Sequence, residues 1–221
     1  MKLLTLLFSL KSIPFVWWSS QKPLNFRPSI TTLVFLVLGL ALFGLGDAII
    51  ISSNAGASPW TVLAQGISKT TNWSIGFSTF VISLGVLIIW IPLKQKPGIG
   101  TILNVVVIAG VIDISLPYLP QPNSFALSLI QAAVGVIIIG LGSGFYLIAN
   151  LGPGPRDGLM VGLQKLSDLP IVNVRTFIEL FAVTSGWMMG GVVGFGTLIF
   201  VFGIGPAVAL ALYLVSVVFR K

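Results

Sequence analysis

Long apolar stretches alternate with short, turn-forming breaks along most of the chain. An α-helix needs about 20 apolar residues to cross a bilayer. Six stretches reach this length, at about 30–53, 73–92, 98–119, 124–149, 171–190 and 194–219. The breaks between them are rich in Asn, Pro and Gly, which favour turns. The pattern therefore predicts an all-α membrane protein with six transmembrane helices.

Two further apolar stretches, Ser58–Lys69 and Pro155–Leu166, are too short to cross a bilayer as helices. Each has about 12 residues, against the roughly 20 that a span requires. If both crossed, the resulting eight-span topology would place Lys94 and Lys96 outside, against the positive-inside rule. We therefore expect two short helices there, and both a re-entrant and an interfacial position agree with the sequence.

Basic residues fall almost entirely on one side of the six predicted spans. With a cytoplasmic N-terminus, eleven Lys and Arg residues face the cytoplasm and one, Lys69, faces outward. The eleven are Lys2, Lys11, Lys22, Arg27, Lys94, Lys96, Arg156, Lys165, Arg175, Arg220 and Lys221. Because cytoplasmic loops are enriched in Lys and Arg, we expect both termini to be cytoplasmic.

Residues 1–29 precede the first predicted span and form a separate N-terminal segment. Leu3–Leu10 is too short for a span and no small-residue cleavage site follows it, so we do not predict a signal peptide. Basic and aromatic residues of this segment fit an anchor at the membrane interface. They are Lys11, Trp17, Trp18, Lys22 and Arg27. A flexible cytoplasmic tail is the alternative.

An internal repeat with a constant offset of 96 divides the rest of the chain into residues 30–119 and 120–221. Asn, Pro and Thr keep the same register as Gly, which chance matching of glycines explains poorly. The matched pairs include Gly39/Gly135, Gly44/Gly140, Gly46/Gly142, Asn54/Asn150, Gly56/Gly152, Pro59/Pro155, Leu63/Leu159, Gly66/Gly162, Gly98/Gly194, Gly100/Gly196 and Thr101/Thr197. Each half holds three predicted spans and one short helix, so the second half enters the membrane from the opposite side. Such inverted repeats characterise many secondary transporters, whose sites lie at the repeat interface.

Two motifs carry a resemblance to a known family. The first is Gly56-Ala57-Ser58-Pro59-Trp60-Thr61-Val62-Leu63, followed by Gly98-Ile99-Gly100-Thr101. Its second copy is Gly152-Pro153-Gly154-Pro155-Arg156-Asp157-Gly158-Leu159, followed by Gly194-Phe195-Gly196-Thr197. Over about residues 30–215 the chain resembles the YczE/YyaS/YitT group of bacterial membrane proteins, the YczE-like branch especially. This resemblance implies a multi-pass protein of the bacterial inner membrane, of a kind often described as transporter-like.

Composition excludes several classes of function. Hydrophobic residues make up 56% of the chain and charged ones only 8%, whereas a soluble domain is about a quarter charged. With no Cys and no His, we expect no disulfide, no zinc or haem cofactor and no Ser-His or Cys-His catalytic pair. The net charge of +7 comes from scattered residues, which does not indicate a nucleic-acid partner. We expect a non-enzymatic protein that needs no cofactor and has the lipid bilayer as its partner.

The starts of the two short helices are the first candidate binding elements. Ser58 is a good N-cap and Pro59 suits a first turn, and Gly154 and Pro155 repeat this arrangement. Inside a membrane, such broken backbone must be buried in protein or line a watery cavity. Because helix N-termini carry partial positive charge, we predict that both starts bind an anionic or polar group at a shared site. A tight re-entrant turn without binding is the alternative.

Charged residues distinguish the second copy from the first. Arg156 and Asp157 stand where the first copy has Trp60 and Thr61. Arg156 can hold a carboxylate or phosphate through paired N–H donors, with Asp157 orienting it. The alternative is an ion pair in a cytoplasmic loop, which contributes little.

Arg175 and Glu179 lie one helical turn apart in the fifth predicted span, so their side chains can meet. An ionisable group inside an apolar stretch is costly and indicates a function by default. Glu179 is therefore a candidate proton carrier of a coupled transporter, and a structural Arg–Glu pair between helices is the alternative. Asp47 and Asp113 are weaker candidates of the same kind.

Two sets of residues follow from these motifs. The candidate substrate-binding residues are Asn54, Ser58, Trp60, Thr61, Asn150, Arg156, Asp157, Arg175 and Glu179. The structural-motif residues are Gly56, Pro59, Gly98, Gly100, Thr101, Gly152, Gly154, Pro155, Gly194, Gly196 and Thr197. A Gly-x-Gly element binds phosphate only in a strand-turn-helix context. Small residues that let helices approach closely explain these glycines better.

Three functions remain, in descending order. We expect a transporter-like permease that moves a small solute, an anion among the candidates, by alternating access between the repeats. A non-transporting scaffold or accessory protein is the alternative, with the same residues dry and tightly packed. An intramembrane aspartyl protease is a remote third: Gly44-Leu45-Gly46-Asp47 matches its Gly-x-Gly-Asp element, but its second acid, Asp113, stands later in the chain than such enzymes place it. The sequence is also compatible with a homo-oligomer.

Overall fold

The computed structural model describes residues 13–220, and this part of the chain is helical without β-strands. Lys2, Lys11, Leu3–Leu10 and Lys221 lie outside the described residues. The helices are α1 (Ile30–Ser53), α2 (Pro59–Thr71), α3 (Ile75–Trp90), α4 (Ile99–Ser115), α5 (Phe125–Ala149), α6 (Pro155–Ser167), α7 (Ile171–Met188) and α8 (Phe195–Val218). A short 3-10 helix, Leu116–Tyr118, extends α4. The all-α prediction is confirmed.

Each of the six long apolar stretches contains one long helix, and the two short stretches form α2 and α6, of 13 residues each. By length and composition, α1, α4 with its 3-10 extension, α5 and α8 can each cross a membrane. The bent pair α2 and α3, which meet at 113°, adds a fifth span if it is counted as one. The structure thus gives four or five candidate spans, and the predicted six require α3 and α7 to cross as well.

The turns after α1 and α5 follow from their sequences. Asn54 and Asn150 end the two helices in the left-handed conformation, with φ of 52° and 51°. Gly56 and Gly152 then take φ of 108° and 112°, where a side chain would be strained. These turns stop the helices and reverse the chain into α2 and α6. Asn and Gly at these positions therefore set the breaks that the sequence predicts.

The helices α1 and α5 pack closely against each other at the centre of the protein. Glycine makes this approach feasible: a Cβ on Gly39 would lie 2.7 Å from the Cβ of Phe145, closer than atoms pack. Gly46 meets the backbone of Gly135 in the same way. On either side of this pair, α4 packs against α1 and α8 packs against α5. Small residues thus set the central contact, as they do in membrane helix pairs.

Each short helix packs against the second long helix of the other half of the chain. The helix α2 lies against α7, and α6 lies against α3. The indole Nε1 of Trp90 in α3 donates to the carbonyl of Pro155 at the start of α6, at 2.9 Å. The N–H of Val192, after α7, donates to Oε1 of Gln65 in α2 at 3.0 Å. These contacts bring the starts of α2 and α6 to the middle of the protein.

The N-terminal segment, as far as it is described, is irregular and packs on the helices. Trp18 is only 2% exposed and stacks on Phe35, with a ring-centroid distance of 4.6 Å. The Trp18 ring is buried among Phe35, Phe145 and Phe219, so it packs against the helices instead of being exposed as a belt residue would be. Trp17, in contrast, is exposed. Residues 13–29 are therefore part of the packed structure.

Candidate functional site

A central cavity of about 360 Å³ lies where the starts of α2 and α6 meet the long helices. Every helix from α1 to α8 contributes to its wall. Its polar lining consists of Ser58, Trp60, Thr79, Ser83, Asn104, Ser143, Tyr146, Arg156, Asp157, Arg175 and Glu179. The apolar lining includes Phe43, Ile108, Leu147, Met160, Phe200, Ile204 and Val208. A concave, largely apolar wall with a few convergent polar groups is typical of a small-molecule site.

The sequence offset of 96 pairs most of the polar lining residues between the two halves. Trp60 corresponds to Arg156, Thr79 to Arg175 and Ser83 to Glu179. Lining residues that are charged at neutral pH come from the second half, while the first half supplies neutral partners at the matching positions. The two halves of the chain therefore contribute lining residues at matching positions, but the charged lining residues belong to the second half.

The Arg156 side chain has no ionic partner among residues 13–220. Its guanidinium lies over the ring of Trp60, 5.2 Å from the ring centroid. The salt bridge found in this range joins Arg175 to Glu179 instead. A guanidinium carries five N–H donors in a planar fork, and no described residue accepts a hydrogen bond from this one. Arg156 thus presents an unpaired cation to the cavity.

The start of α6 adds free backbone donors beside this cation. Its N-cap, Gly154, has no side chain with which to cap the helix. Pro155 has no N–H, so the first-turn amides available to a ligand are those of Arg156 and Asp157. The start of α2 differs, because Ser58 Oγ accepts from the N–H of Thr61 at 3.3 Å. The α6 start is therefore the open one.

Trp60 provides a further unsatisfied donor at the cavity wall. Its side chain is 8% exposed, and its indole Nε1 has no hydrogen-bond partner in the described structure. A buried donor without a partner costs free energy, and a ligand atom that accepts from it recovers that cost. Trp60 lines the cavity together with Arg156. Trp60 therefore carries an unpaired donor and also contacts Arg156 through its ring face.

Two carboxylates of the cavity have partners. Tyr146 Oη, from α5, donates to Asp157 Oδ2 at 2.7 Å. Arg175 Nε lies 2.8 Å from Glu179 Oε1, with the two side chains 54% and 23% exposed. The predicted meeting of Arg175 and Glu179 along α7 is present. With these carboxylates engaged, Arg156 stays available to a ligand.

Three of the predicted binding residues do not line the cavity. Thr61 is 2% exposed and lies behind the wall, where its Oγ1 donates to Asp47 Oδ1 at 3.1 Å. Asn150 uses its Nδ2 to donate to the carbonyl of Ser20 at 2.8 Å. Asn54 is exposed at the end of α1. The cavity itself gathers Ser58, Trp60, Arg156, Asp157, Arg175 and Glu179 from the predicted set.

The structural-motif residues hold the two halves together crosswise. The N–H of Gly100, in α4, donates to the carbonyl of Leu151 at 2.8 Å, and Thr101 Oγ1 donates to the carbonyl of Pro153 at 2.7 Å. In the matching place, the N–H of Gly196 donates to the carbonyl of Ala55 at 2.7 Å. Thr101 and Thr197 also accept from the N–H of Gly98 and Gly194. These glycines and threonines clamp the loops that lead into α6 and α2.

Sequence reasoning missed several lining residues, of which Thr79, Ser83, Asn104, Ser143 and Tyr146 are polar. Two of them had a signal, because the offset of 96 leads from Arg175 and Glu179 directly to Thr79 and Ser83. Asn104 corresponds to Phe200 and Tyr146 to Ile50. A Tyr in an apolar helix gives no sign of its partner. The places of Asn104 and Tyr146 in the cavity wall depend on the packing of separate helices.

The two aspartates of the protease alternative have different partners. Asp113 accepts from Ser74 Oγ at 2.5 Å and from the N–H of Gly76 at 2.7 Å, at the start of α3. Asp47 accepts from Thr61, at the start of α2. No hydrogen bond joins the two carboxylates. Residues 13–220 also contain no group of three or more His, Cys, Asp or Glu side chains arranged to hold a metal ion.

Known proteins resemble this chain over most of its length. A family model described as "Family of unknown function (DUF6198)" matches residues 30–212. No solved structure matches the chain.

An uncharacterized protein of Haemophilus influenzae is 41% identical over 185 residues, covering 84% of this chain and 85% of its own. The "uncharacterized membrane protein YczE" of Bacillus subtilis is 33% identical over 169 residues, covering 75% and 78% of the two chains. The "uncharacterized protein YyaS" of the same organism is 30% identical over 166 residues, covering 73% and 83%. With the apolar helices, these matches confirm the resemblance to YczE and YyaS and a place in a membrane. The chain is a membrane protein that belongs to the family of unknown function DUF6198.

Proposed function

We propose that this protein is a permease of the bacterial inner membrane that carries a small organic anion through the central cavity. The observation that supports this most directly is the unpaired guanidinium of Arg156, which lies at the open N-terminus of α6 and over Trp60. The Arg156 cation, the first turn of α6 and the Trp60 side chain lie together at the cavity. A carboxylate or a phosphate is the group that suits a cation beside free helix-start amides.

The proposed architecture is a pair of inverted repeats with six spans, counting α3 and α7, and with both termini in the cytoplasm. The crosswise packing of α2 on α7 and of α6 on α3 supports this arrangement. So do the matched clamps of Gly100 on Leu151 and of Gly196 on Ala55. Rocking of one repeat against the other would open the cavity to each side in turn. In the proposed arrangement, α2 and α6 are re-entrant helices.

The wall also suggests the size and character of the solute. A cavity of about 360 Å³ admits a small organic molecule. The apolar side chains of the lining, among them Phe200 and Ile204, would receive an apolar body. The lining carries the charges of Arg156, Arg175, Asp157 and Glu179, so its net charge is zero before a ligand binds. We therefore favour a monoanion with an apolar part over a multiply charged phosphate, and we propose no chemical step.

A ligand screen followed by flux measurements tests this function. Purified protein would be screened by thermal unfolding against small carboxylates and phosphates, and stabilising anions would be tested for uptake into proteoliposomes. We expect a carboxylate that stabilises the protein and is taken up. Arg156→Gln should lose both effects, and Arg27→Gln should keep them, because Arg27 is exposed on the N-terminal segment.

The same screen can reject the permease. If no anion stabilises or crosses in any of the tested lipids, or if Arg156→Gln leaves uptake unchanged, the cavity does not carry anions through Arg156. A protein that binds no solute but copurifies stoichiometrically with one other membrane protein would indicate the scaffold instead.

A further inference from the structure

Asp47 is a carboxylate inside α1 with one oxygen unpaired. The residue is 1% exposed. Thr61 Oγ1 donates to its Oδ1 at 3.1 Å, while Oδ2 has no hydrogen-bond partner in the described structure. Burying a carboxylate oxygen without a partner is costly when the group is ionised. A proton on this carboxyl removes the charge and therefore most of that cost.

The carboxyl of Asp47 is connected to the start of α2. The Oγ1 of Thr61 lies 2.7 Å from Ser58 Oγ as well as within reach of Asp47. Ser58 caps α2 and lines the cavity. A change in the charge of Asp47 therefore acts on the hydrogen bonds that fix one wall of the cavity. At the matching position of the second half, Ser143 lines the cavity without a charge.

Asp47 is also linked electrostatically to the proposed anion site. Asp47 bonds to Thr61, the residue next to Trp60, and the guanidinium of Arg156 lies over the Trp60 ring, so the two opposite charges are near enough to act on each other. An ionised Asp47 partly neutralises Arg156 and competes with a solute anion. A protonated Asp47 leaves the charge of Arg156 to the solute. Binding of a proton at Asp47 therefore favours binding of an anion at Arg156. By linkage, binding of the anion favours binding of the proton to the same extent.

Other titratable groups around α1 and α2 have partners or positions of their own. On α4, Asp113 bonds to the start of α3; on α5, Tyr146 bonds to Asp157; on α7, which packs against α2, Glu179 pairs with Arg175. Exposed groups on the neighbouring segments are Lys22, Arg27, Lys69 and Tyr118. The described charge that acts on Asp47 is thus that of Arg156.

We propose that Asp47 is a proton-binding site coupled to the anion site at Arg156, so that a proton and an anion are carried together. An O–H bond of a hydronium ion breaks as an O–H bond forms on the Asp47 carboxyl and a water molecule is left behind. On the other side of the membrane the carboxyl O–H bond breaks and the proton passes back to water. The coupling rests on the proposed anion site, but proton binding by Asp47 does not, and it can be measured without any solute.

Infrared difference spectroscopy of the full chain in lipid, titrated with pH, tests the proton site directly. We expect the wild type to show the carbonyl-stretch band of a protonated carboxyl that Asp47→Asn lacks. Asp113→Asn is the matched control and should keep the band. A band of equal size in wild type and Asp47→Asn would overturn the proposal. So would loss of the band when sodium chloride replaces choline chloride at fixed pH, which would indicate a sodium site.

Arg156→Gln tests the coupling in the same experiment. Removing a neighbouring positive charge favours the neutral carboxyl, so the band should survive to more alkaline pH than in the wild type. An unchanged titration in Arg156→Gln would overturn the coupling. If the Asp47 band is present but no anion binds in the screen, the proposed anion transport fails while the proton site stands.

Discussion

Tyr146 in α5 donates a hydrogen bond to Asp157 Oδ2 in α6 at 2.7 Å. Asp157 is the residue next to Arg156, yet no ion pair joins these two neighbours in the described structure. The tyrosine therefore engages one oxygen of this carboxylate, while the cation beside it stays unpaired at the cavity.

Tyr146→Phe should weaken anion binding by releasing Asp157 to pair with Arg156. A hydrogen bond to a charged group contributes about 1.5–3 kcal/mol, so we expect about a tenfold or greater loss of affinity, which corresponds to 1.4 kcal/mol or more. The measurement is the concentration at which an anion found in the screen half-stabilises the protein. Tyr213→Phe is the control, since no described residue bonds to that hydroxyl and its ring is 37% exposed. If Tyr146→Phe and Tyr213→Phe bound the anion with equal affinity, Tyr146 would have no part in anion binding.

Gly100→Ala should destabilise the clamp between α4 and the loop before α6. A Cβ at Gly100 would lie 2.9 Å from the carbonyl oxygen of Leu151, which also accepts from the Gly100 N–H. Overpacking of this kind costs about 1–3 kcal/mol. Gly110→Ala, in the same helix, meets nothing within 4 Å and should be neutral or stabilising. Measured in one detergent, the thermal unfolding midpoint of Gly100→Ala should be lower than that of Gly110→Ala. The reverse order would contradict the clamp.

The sequence predicts the helices well because their ends are encoded locally. Asn54, Gly56 and Ser58 carry the stop, the turn and the new start within five residues, and Asn150 to Pro155 repeat them. The cavity residues at α2 and α6 follow from the same signals. Contacts between distant residues do not: Thr61 with Asp47 and Tyr146 with Asp157 require the packing of separate helices. A buried Trp18 is likewise invisible, because a Trp near basic residues also fits a membrane interface.

Asn150→Gly should loosen the N-terminal segment, whereas Asn54→Gly should not. Both asparagines have left-handed backbone that Gly adopts freely. Only the Asn150 side chain donates to the carbonyl of Ser20 in the described structure, at 2.8 Å. We expect Asn150→Gly to lose about 1 kcal/mol and to be cleaved faster near residues 13–29 in limited proteolysis. Identical cleavage rates in the two variants would show that this hydrogen bond does not hold the segment.

The variant Glu179→Gln tests whether Glu179 or Asp47 is the carboxylate that carries the proton. Glu179 is paired with Arg175, whose side chain is 54% exposed, and an exposed pair contributes only about 0–1 kcal/mol to stability. The variant should therefore unfold close to the wild-type temperature. It also frees Arg175 in the cavity, so anion binding should tighten at low salt, and the gain should shrink as salt screens the added charge.

If Asp47 is the proton site, anion uptake in Glu179→Gln should keep its dependence on pH, and uptake in Asp47→Asn should lose it. Uptake would be measured from about pH 5 to about pH 8, a range that brackets neutral pH. The proteoliposomes would hold equal amounts of each variant. A pH dependence that disappears in Glu179→Gln but persists in Asp47→Asn would assign the proton to Glu179.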